Sequence, residues 1–427
     1  MMEDIVNKLN KKYALTDLNG QVVVMAYKER PERFYRLQDF RLLLKNQEVY
    51  VTDGQSKPKL VPVSGIWLSS KERKKFKSVV FEPGLKTKSD IYNLWHGFNV
   101  KPEKGDWSLF HRHICSVLCD DNQEQYDYFL KWCACIVQHC LAKCRRPEVA
   151  LVLKGIRGIG KDTFIELYGH LFGSSYQTFT DESQVFGRFN PHLKTCIIGH
   201  LSEAFWSGSK KVEGNLKSLI TNPTFTIEEK YLKPIKLTSH INLIISSNED
   251  WVVPAGIHER RFFIPSISDK LPADKDYFHK IRKQMANGGY EAMLYDFINN
   301  YKIDRDFIGH PPKTTELKNQ IEITLSTEEQ FISEILSEEG LVEEWRIIST
   351  KDLHDKLRSF ADTIGQQRII TQTMLTRKIQ QIFPSVIRKV VWLDNRSQNA
   401  LVLSSTEIMR EEFNVYVGYK LFQEHNN

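Results

Sequence analysis

Lys161 is the residue around which chemistry can be organised. It stands in LVLKGIRGIGKDTFIEL, residues Leu151 to Leu167, behind Gly155, Gly158 and Gly160 and ahead of Asp162 and Thr163. Four residues separate Gly155 from Gly160, and Lys161 follows at once, which is the front of a phosphate-loop pattern. Glycines let successive backbone N–H groups turn toward one anion. A helix N-terminus adds a favourable dipole, and a lysine reaches the β- and γ-phosphates. The pattern departs at its end: Asp162 stands where Ser or Thr ordinarily holds Mg²⁺, and Thr163 follows one place late. Either Thr163 or Asp162 then serves the metal, with ATP and Mg²⁺ as the expected bound species. The plainer reading is a glycine-rich turn with no ligand, and the strand-like flank Leu151–Leu153 argues against it.

Three further positions could complete a hydrolytic site. Thr195–Leu201 is an apolar run ending in Ser202-Glu203, and an acid delivered at a strand tip can activate water directly or through Mg²⁺. The run Ile241–Ser247 ends in Asn248, an amide able to sense a γ-phosphate, although a lone Asn there is more often a turn residue. Glu259-Arg260-Arg261 precedes an apolar Phe-Phe-Ile, and one of the two arginines could serve the phosphate of a neighbouring subunit while the other pairs with Glu259. Between these runs lies a basic segment, Lys210 to Lys236. A strand at Thr224–Ile227 leads to a turn carrying Lys230, Tyr231 and Lys233, which suits a single-strand backbone and its bases.

The elements that must position these residues follow from pattern. At 427 residues the chain spans two or three domains, and 41% hydrophobic content is enough to build their cores. A formal net charge of +6 permits a nucleic-acid partner without demanding one. No apolar run reaches a membrane span, and the acid-bearing start MMEDIVNKLNKKY does not read as a secretory signal, so the expected location is the cytoplasm. Six of the seven cysteines lie between Cys115 and Cys144, but none makes the C-x₂-C spacing of structural zinc. Along Gln125–Leu141 the recurrence of Phe129, Trp132, Cys133, Ile136, Val137 and Cys140 at three and four places reads as a helix, with the thiols packed as small hydrophobes. Residues 1–80 read as a small mixed domain, Phe81–Lys88 as a linker, 89–148 as a helical lead-in, and 149–310 as the phosphate-loop core. The basic run from Lys71 to Lys77 is better explained as a solvated face than as a DNA contact.

The order of phosphate loop, acid-tipped strand, basic hairpin, Asn-tipped strand and Arg-Arg resembles the superfamily 3 helicases. The strings LSEAFW (Leu201–Trp206), GNLKSLITNPTFTI (Gly214–Ile227), SNEDWVVPAG (Ser247–Gly256) and ERRFF (Glu259–Phe263) are similar to the helicase module of phage and virus primase-helicases. YNLWHGF (Tyr92–Phe98) and GDWSL (Gly105–Leu109) resemble its lead-in. The likeness covers roughly residues 60–310. It implies an α/β, AAA+-like core with a central parallel sheet, working as a homo-oligomer, commonly a hexamer. Lys161 would bind phosphate, Glu203 would activate water, Asn248 would act as sensor, and Arg260 or Arg261 would act in trans. Lys230, Lys233 and Tyr231 would line a central channel. Asp162 in the loop, and Ser202 where an acid often precedes the catalytic one, depart from the family pattern. No primase-like acidic cluster is seen upstream, so a separate primase or polymerase is an expected partner.

Beyond His310-Pro311-Pro312 a further piece, 320–427, reads as winged-helix-like. Ser326 and Glu329 form a capping box, Ser349 opens a second helix, a third runs from about Thr373 to Phe383, and Val386–Leu393 and Ala400–Leu403 make strands joined by Asp394–Asn399. Arg377 and Lys378 on the third helix, with Arg396 on the wing, could meet duplex DNA, and a protein-binding winged helix fits equally well. The expected function is an ATP-dependent DNA helicase of a phage, plasmid or other mobile element, acting on single-stranded and forked DNA. Other readings are an ATP-switched replication initiator, a small-metabolite kinase, and a DNA clamp that binds ATP without hydrolysing it.

Overall fold

The computed structural model describes residues 2–18, 20–52, 58–202, 210–228, 234–257, 259–270, 275–338, 341–393 and 395–422. Its centre is a five-stranded parallel sheet: β1 (Ala150–Lys154), β2 (Tyr176–Phe179), β3 (Ile198–Ser202), β4 (Asn242–Ser247) and β5 (Phe262–Phe263), in the order β5-β1-β4-β3-β2. Strands buried on both faces read as continuous apolar runs, which is why β1 and β4 stand out in the sequence. Alternation sends Ala150, Val152, Leu243, Ile245 and Phe262 to one face, and Leu151, Leu153, Ile244 and Phe263 to the other.

The second face is covered by helices α1 (Gln123–His139) and α2 (Lys161–Gly169). Asn122 caps α1 by accepting from the Gln125 N–H, and Phe129 of α1 meets Phe164 of α2 edge to face, 4.8 Å between centroids. Cys119, Cys133, Cys135 and Cys140 are buried, Cys133 and Cys140 within this same core. Helix α3 (Lys210–Thr221) covers the first face through Leu216 and Ile220. Farther on, α4 (Lys275–Gln284) turns back over the C-terminal ends of the strands.

The C-terminal unit shares the first-face core. It holds helices α5 (Thr315–Thr324), α6 (Thr327–Ser337), α7 (Thr350–Thr363) and α8 (Gln372–Ile382), and strands β6 (Ile347–Ser349), β7 (Ile387–Leu393) and β8 (Arg396–Val402), paired antiparallel in the order β6-β8-β7. The Ser326–Glu329 capping box and the Ser349 cap are both formed. The unit is tied to the sheet through α5. Gln320, fully buried, accepts from the Val252 and Val253 N–H groups and donates to the Asp250 carbonyl, while Thr314 donates to the Ile264 carbonyl at 2.6 Å.

Three expectations are corrected. The 81–88 stretch is not a linker between domains but the connection between two short parallel strands, Ser78–Val80 and Ile91–Asn93. Helix in the 89–148 region starts only at Ser108, because Gly97, Pro102 and Gly105 break any helical run before it. The wing turn is shorter than expected: β8 begins at Arg396, because Asn395 adopts a left-handed φ of 58° and closes the hairpin at once. Among the described residues, no helix is long and apolar enough to cross a membrane. Replacing Gln320 by Leu strands two buried N–H donors and should cost about 2 kcal/mol of stability. A thermal midpoint unchanged in Gln320→Leu would contradict this anchoring of α5.

Candidate functional site

A cleft of about 480 Å³ opens where β1, β3 and β4 end and α2 begins. Crevices at the carboxyl ends of parallel strands are where ligands bind in such sheets. Its walls are Arg157, Gly158, Gly160, Lys161, Asp162, Thr163, Ser202, Ser246, Ser247, Asn248, Lys275, Phe278 and Arg282. The loop between β1 and α2 depends on two glycines with positive φ, Gly158 at 82° and Gly160 at 101°. A Cβ at Gly160 would also lie 2.5 Å from the His113 ring and 2.7 Å from Phe278, so the site tolerates only glycine.

Lys161 opens α2 and is almost fully buried. Its ammonium donates to the Gly155 carbonyl at 2.5 Å, the Ile156 carbonyl at 2.9 Å and Asn248 Oδ1 at 2.8 Å. Asn248 can reach it because β4 lies beside β1, which puts the tip of one strand against the loop that follows the other. Asp162 is exposed and Thr163 buried on the first turn, and Arg282 of α4 donates to Thr163 Oγ1 at 3.3 Å. Among the described lining residues, cations outnumber acids: Arg157, Lys161, Lys275 and Arg282 against Asp162. With a helix starting at Lys161, this arrangement suits a polyphosphate.

Behind the loop stands His113. Its Nε2 lies 3.3 Å from the Gly160 carbonyl and its Nδ1 3.2 Å from the Tyr277 hydroxyl, so neutral imidazole donates to the loop and accepts from the tyrosine. Burial drives its pKa down to about 4, partly offset by the bond to Gly160. His200 on β3, bonded to Ser246 at 2.8 Å, is likewise pushed by burial down to about 4.

The predicted residues fall into three groups. The loop residues and Asn248 come together as expected. Glu203, Lys230, Tyr231 and Lys233 lie outside the described residues, although the strands leading to the hairpin, Thr224–Ile227 and Ile235–Thr238, pair antiparallel. Arg260 and Arg261 are brought to the other end of the sheet. The Arg261 carbonyl accepts from Ala150 N–H at the start of β1, five residues before Gly155 and so roughly 16 Å of strand away from the loop. Arg261 pairs with buried Glu259 at 3.1 Å, which Lys217 also approaches, whereas Arg260 is exposed. In the C-terminal unit Arg377 is exposed, but Lys378 turns inward, donating to Ser326 Oγ and pairing with Glu329 at 3.1 Å. Sequence reasoning missed His113, Lys275, Phe278 and Arg282. In the string KDYFHKIRKQ, Lys275 and Arg282 look like one more solvated helix face, and only the fold brings them to the cleft.

Residues 153–261 match a protein family described as a family of unknown function, DUF5906. The DNA primase-polymerase of Nitratiruptor phage NrS-1 is 26% identical over 235 residues, which is 54% of this chain and 32% of that protein. The chain thus spans about a third of the length of the curated relative it matches. Two structures of the NrS-1 C-terminal region, both solved in the apo state, superpose with TM-scores of 0.65 and 0.64 at 18% identity, covering 93% of this chain and 98% of the other. The chain is a homologue of a phage replication protein and has the fold of that protein's C-terminal region.

Neutral buried histidines make the fold acid-sensitive. His113, His200 and His240 each fall from 6.5 to about 4 on folding, with burial the first cause, so the unfolded chain binds more protons across that interval. Their contribution to stability is complete above pH 6.5 and is lost as pH falls toward about 4. The thermal midpoint should therefore drop between about pH 7 and about pH 5. An unchanged midpoint would show that these rings are not held neutral.

Proposed function

We propose that this chain is an ATP-dependent DNA motor for the replication of a phage or similar mobile element, working as a ring of identical subunits. One observation carries the reading: Lys161, at the start of α2, is joined to Asn248 at the tip of the adjacent strand inside a cationic cleft. The homology to a phage replication protein supports the biological setting. In this reading the loop N–H groups and Lys161 hold the β- and γ-phosphates of ATP, and Arg157, Lys275 and Arg282 balance the remaining charge. Asp162, Thr163 and Ser202 supply hard oxygen donors at the cleft, a set that fits Mg²⁺ beside phosphate. The ion would neutralise developing charge on the transferred group. Glu203, one residue past Ser202, would orient the attacking water. Arg260 serves a neighbouring subunit's phosphate, since it is exposed and far from its own loop. Lys230, Tyr231 and Lys233 would grip the strand being moved, and the C-terminal unit is read as a winged helix. A separate primase or polymerase would supply synthesis, and the expected location is the host cytoplasm.

A second reading has one observation in its favour. Lys275 and Arg282 on α4 stand over the cleft as the basic lid of a small-metabolite kinase would. ATP hydrolysis with and without single-stranded DNA separates the two. The motor should show DNA-stimulated hydrolysis, and both Lys161→Ala and Glu203→Gln should abolish it, a loss of at least about a hundredfold. Equal rates with and without DNA would favour the kinase.

A further inference from the structure

The C-terminal unit carries a face that the cleft chemistry does not use. Between Asp362 and Asp394 the chain has five basic residues, Arg368, Arg377, Lys378, Arg388 and Lys389, and no acidic one. The structure turns this segment into α8 and β7, and β7 is an edge strand. Its residues Ile387, Arg388, Lys389 and Val390 are all exposed. Strand alternation places Arg388, Val390 and Trp392 on one face. Trp392 is 74% exposed and Val390 68%, close to the tight turn at Asn395. Arg388 is steadied there by a bond from Nη2 to Asn399 Oδ1 at 3.3 Å.

Scattered exposed apolar residues call for no explanation. A tryptophan and a valine side by side on an open strand, within an acid-free basic segment, do. A bare edge is normally blunted or covered, and an exposed aromatic offers a flat surface for stacking. Lys378 is taken up by Glu328 and Glu329, but Arg377, Arg388 and Lys389 are exposed, and exposed cations of this kind favour a polyanion. Aromatic surface interleaved with cations is how single-stranded nucleic acid is held. Wedging a ring into a stacked duplex costs a few kcal/mol of unstacking, on the order of what stacking returns, so unpaired or terminal bases are its favoured partners.

We infer that the β7 face is a nucleic-acid site that recognises the junction of single-stranded and duplex DNA. Trp392 stacks on the first unpaired base, Arg388 on the same face neutralises the flanking phosphate, Lys389 adds positive charge from the strand's other face, and Arg377 on α8 contacts the duplex backbone. The inference rests on the reading of the chain as a DNA-acting protein but not on hydrolysis. Binding is therefore measured on the full chain without nucleotide, so that a chain unable to hydrolyse ATP still reports on Trp392.

The test is fluorescence anisotropy with a labelled fork and a blunt duplex of the same paired sequence. Wild type should prefer the fork. Trp392→Ala should weaken fork binding roughly tenfold and blunt-duplex binding far less, while Trp392→Phe keeps the preference. Arg388→Gln with Lys389→Gln should weaken both and flatten the salt dependence. Trp392→Ala binding the fork as tightly as wild type would overturn the inference. So would an equal loss on both substrates, or a change in the mass of the assembly, which would make the face a subunit contact. Because Trp392 is exposed, Trp392→Ala should fold normally, and Trp392→Phe guards against the exception.

Discussion

A buried ammonium must find partners, and those of Lys161 include two carbonyls of its own loop and the Asn248 amide. Arg157, Lys275 and Arg282 line the same cleft and add positive field to it, which favours an anionic ligand. The contact also joins two strands that are distant in sequence. What happens to Lys161 is felt by Asn248, two residues before Asp250, and the Asp250 carbonyl is held by Gln320 of α5. One chain of hydrogen bonds and backbone therefore leads from the cleft to the C-terminal unit. In the proposed motor, this is a route by which nucleotide state reaches a DNA-facing surface.

Strand direction imposes the second constraint. All five strands run parallel, so their C-terminal ends build the cleft and their N-terminal ends face away from it. Arg260 precedes β5 and belongs to the far edge. It does not reach its own cleft, and it is exposed. Arg261 has a different role, filling the charge need of buried Glu259. The two arginines, alike in sequence, are separated by burial.

Much of this could be read from residue order. Apolar runs bounded by glycine or polar residues marked β1, β3 and β4, because strands buried on both faces need nothing else. The Ser326–Glu329 box and the Ser349 cap were legible because capping is local chemistry. The failures are of a different kind. Lys378 looked as available as Arg377, since nothing local says that one points at Glu329. Arg282 reaches the cleft, and His113 the loop behind it, only through the packing of α4 and of the helix before α1, which no spacing rule encodes. The short turn at Asn395 depended on one backbone angle. The region before Ser108 was misread because aromatic and apolar residues are plentiful there, although Gly and Pro deny them a helical period.

The central claim is that one subunit's Lys161 and another's Arg260 act on the same triphosphate. Mixing purified Lys161→Ala and Arg260→Ala chains and measuring ATP hydrolysis tests it directly. Each variant alone should be inactive, and the mixture should regain part of the rate, because some seams then pair an intact lysine with an intact arginine. A mixture as inactive as its components, or Arg260→Ala hydrolysing ATP at the wild-type rate, would contradict the account.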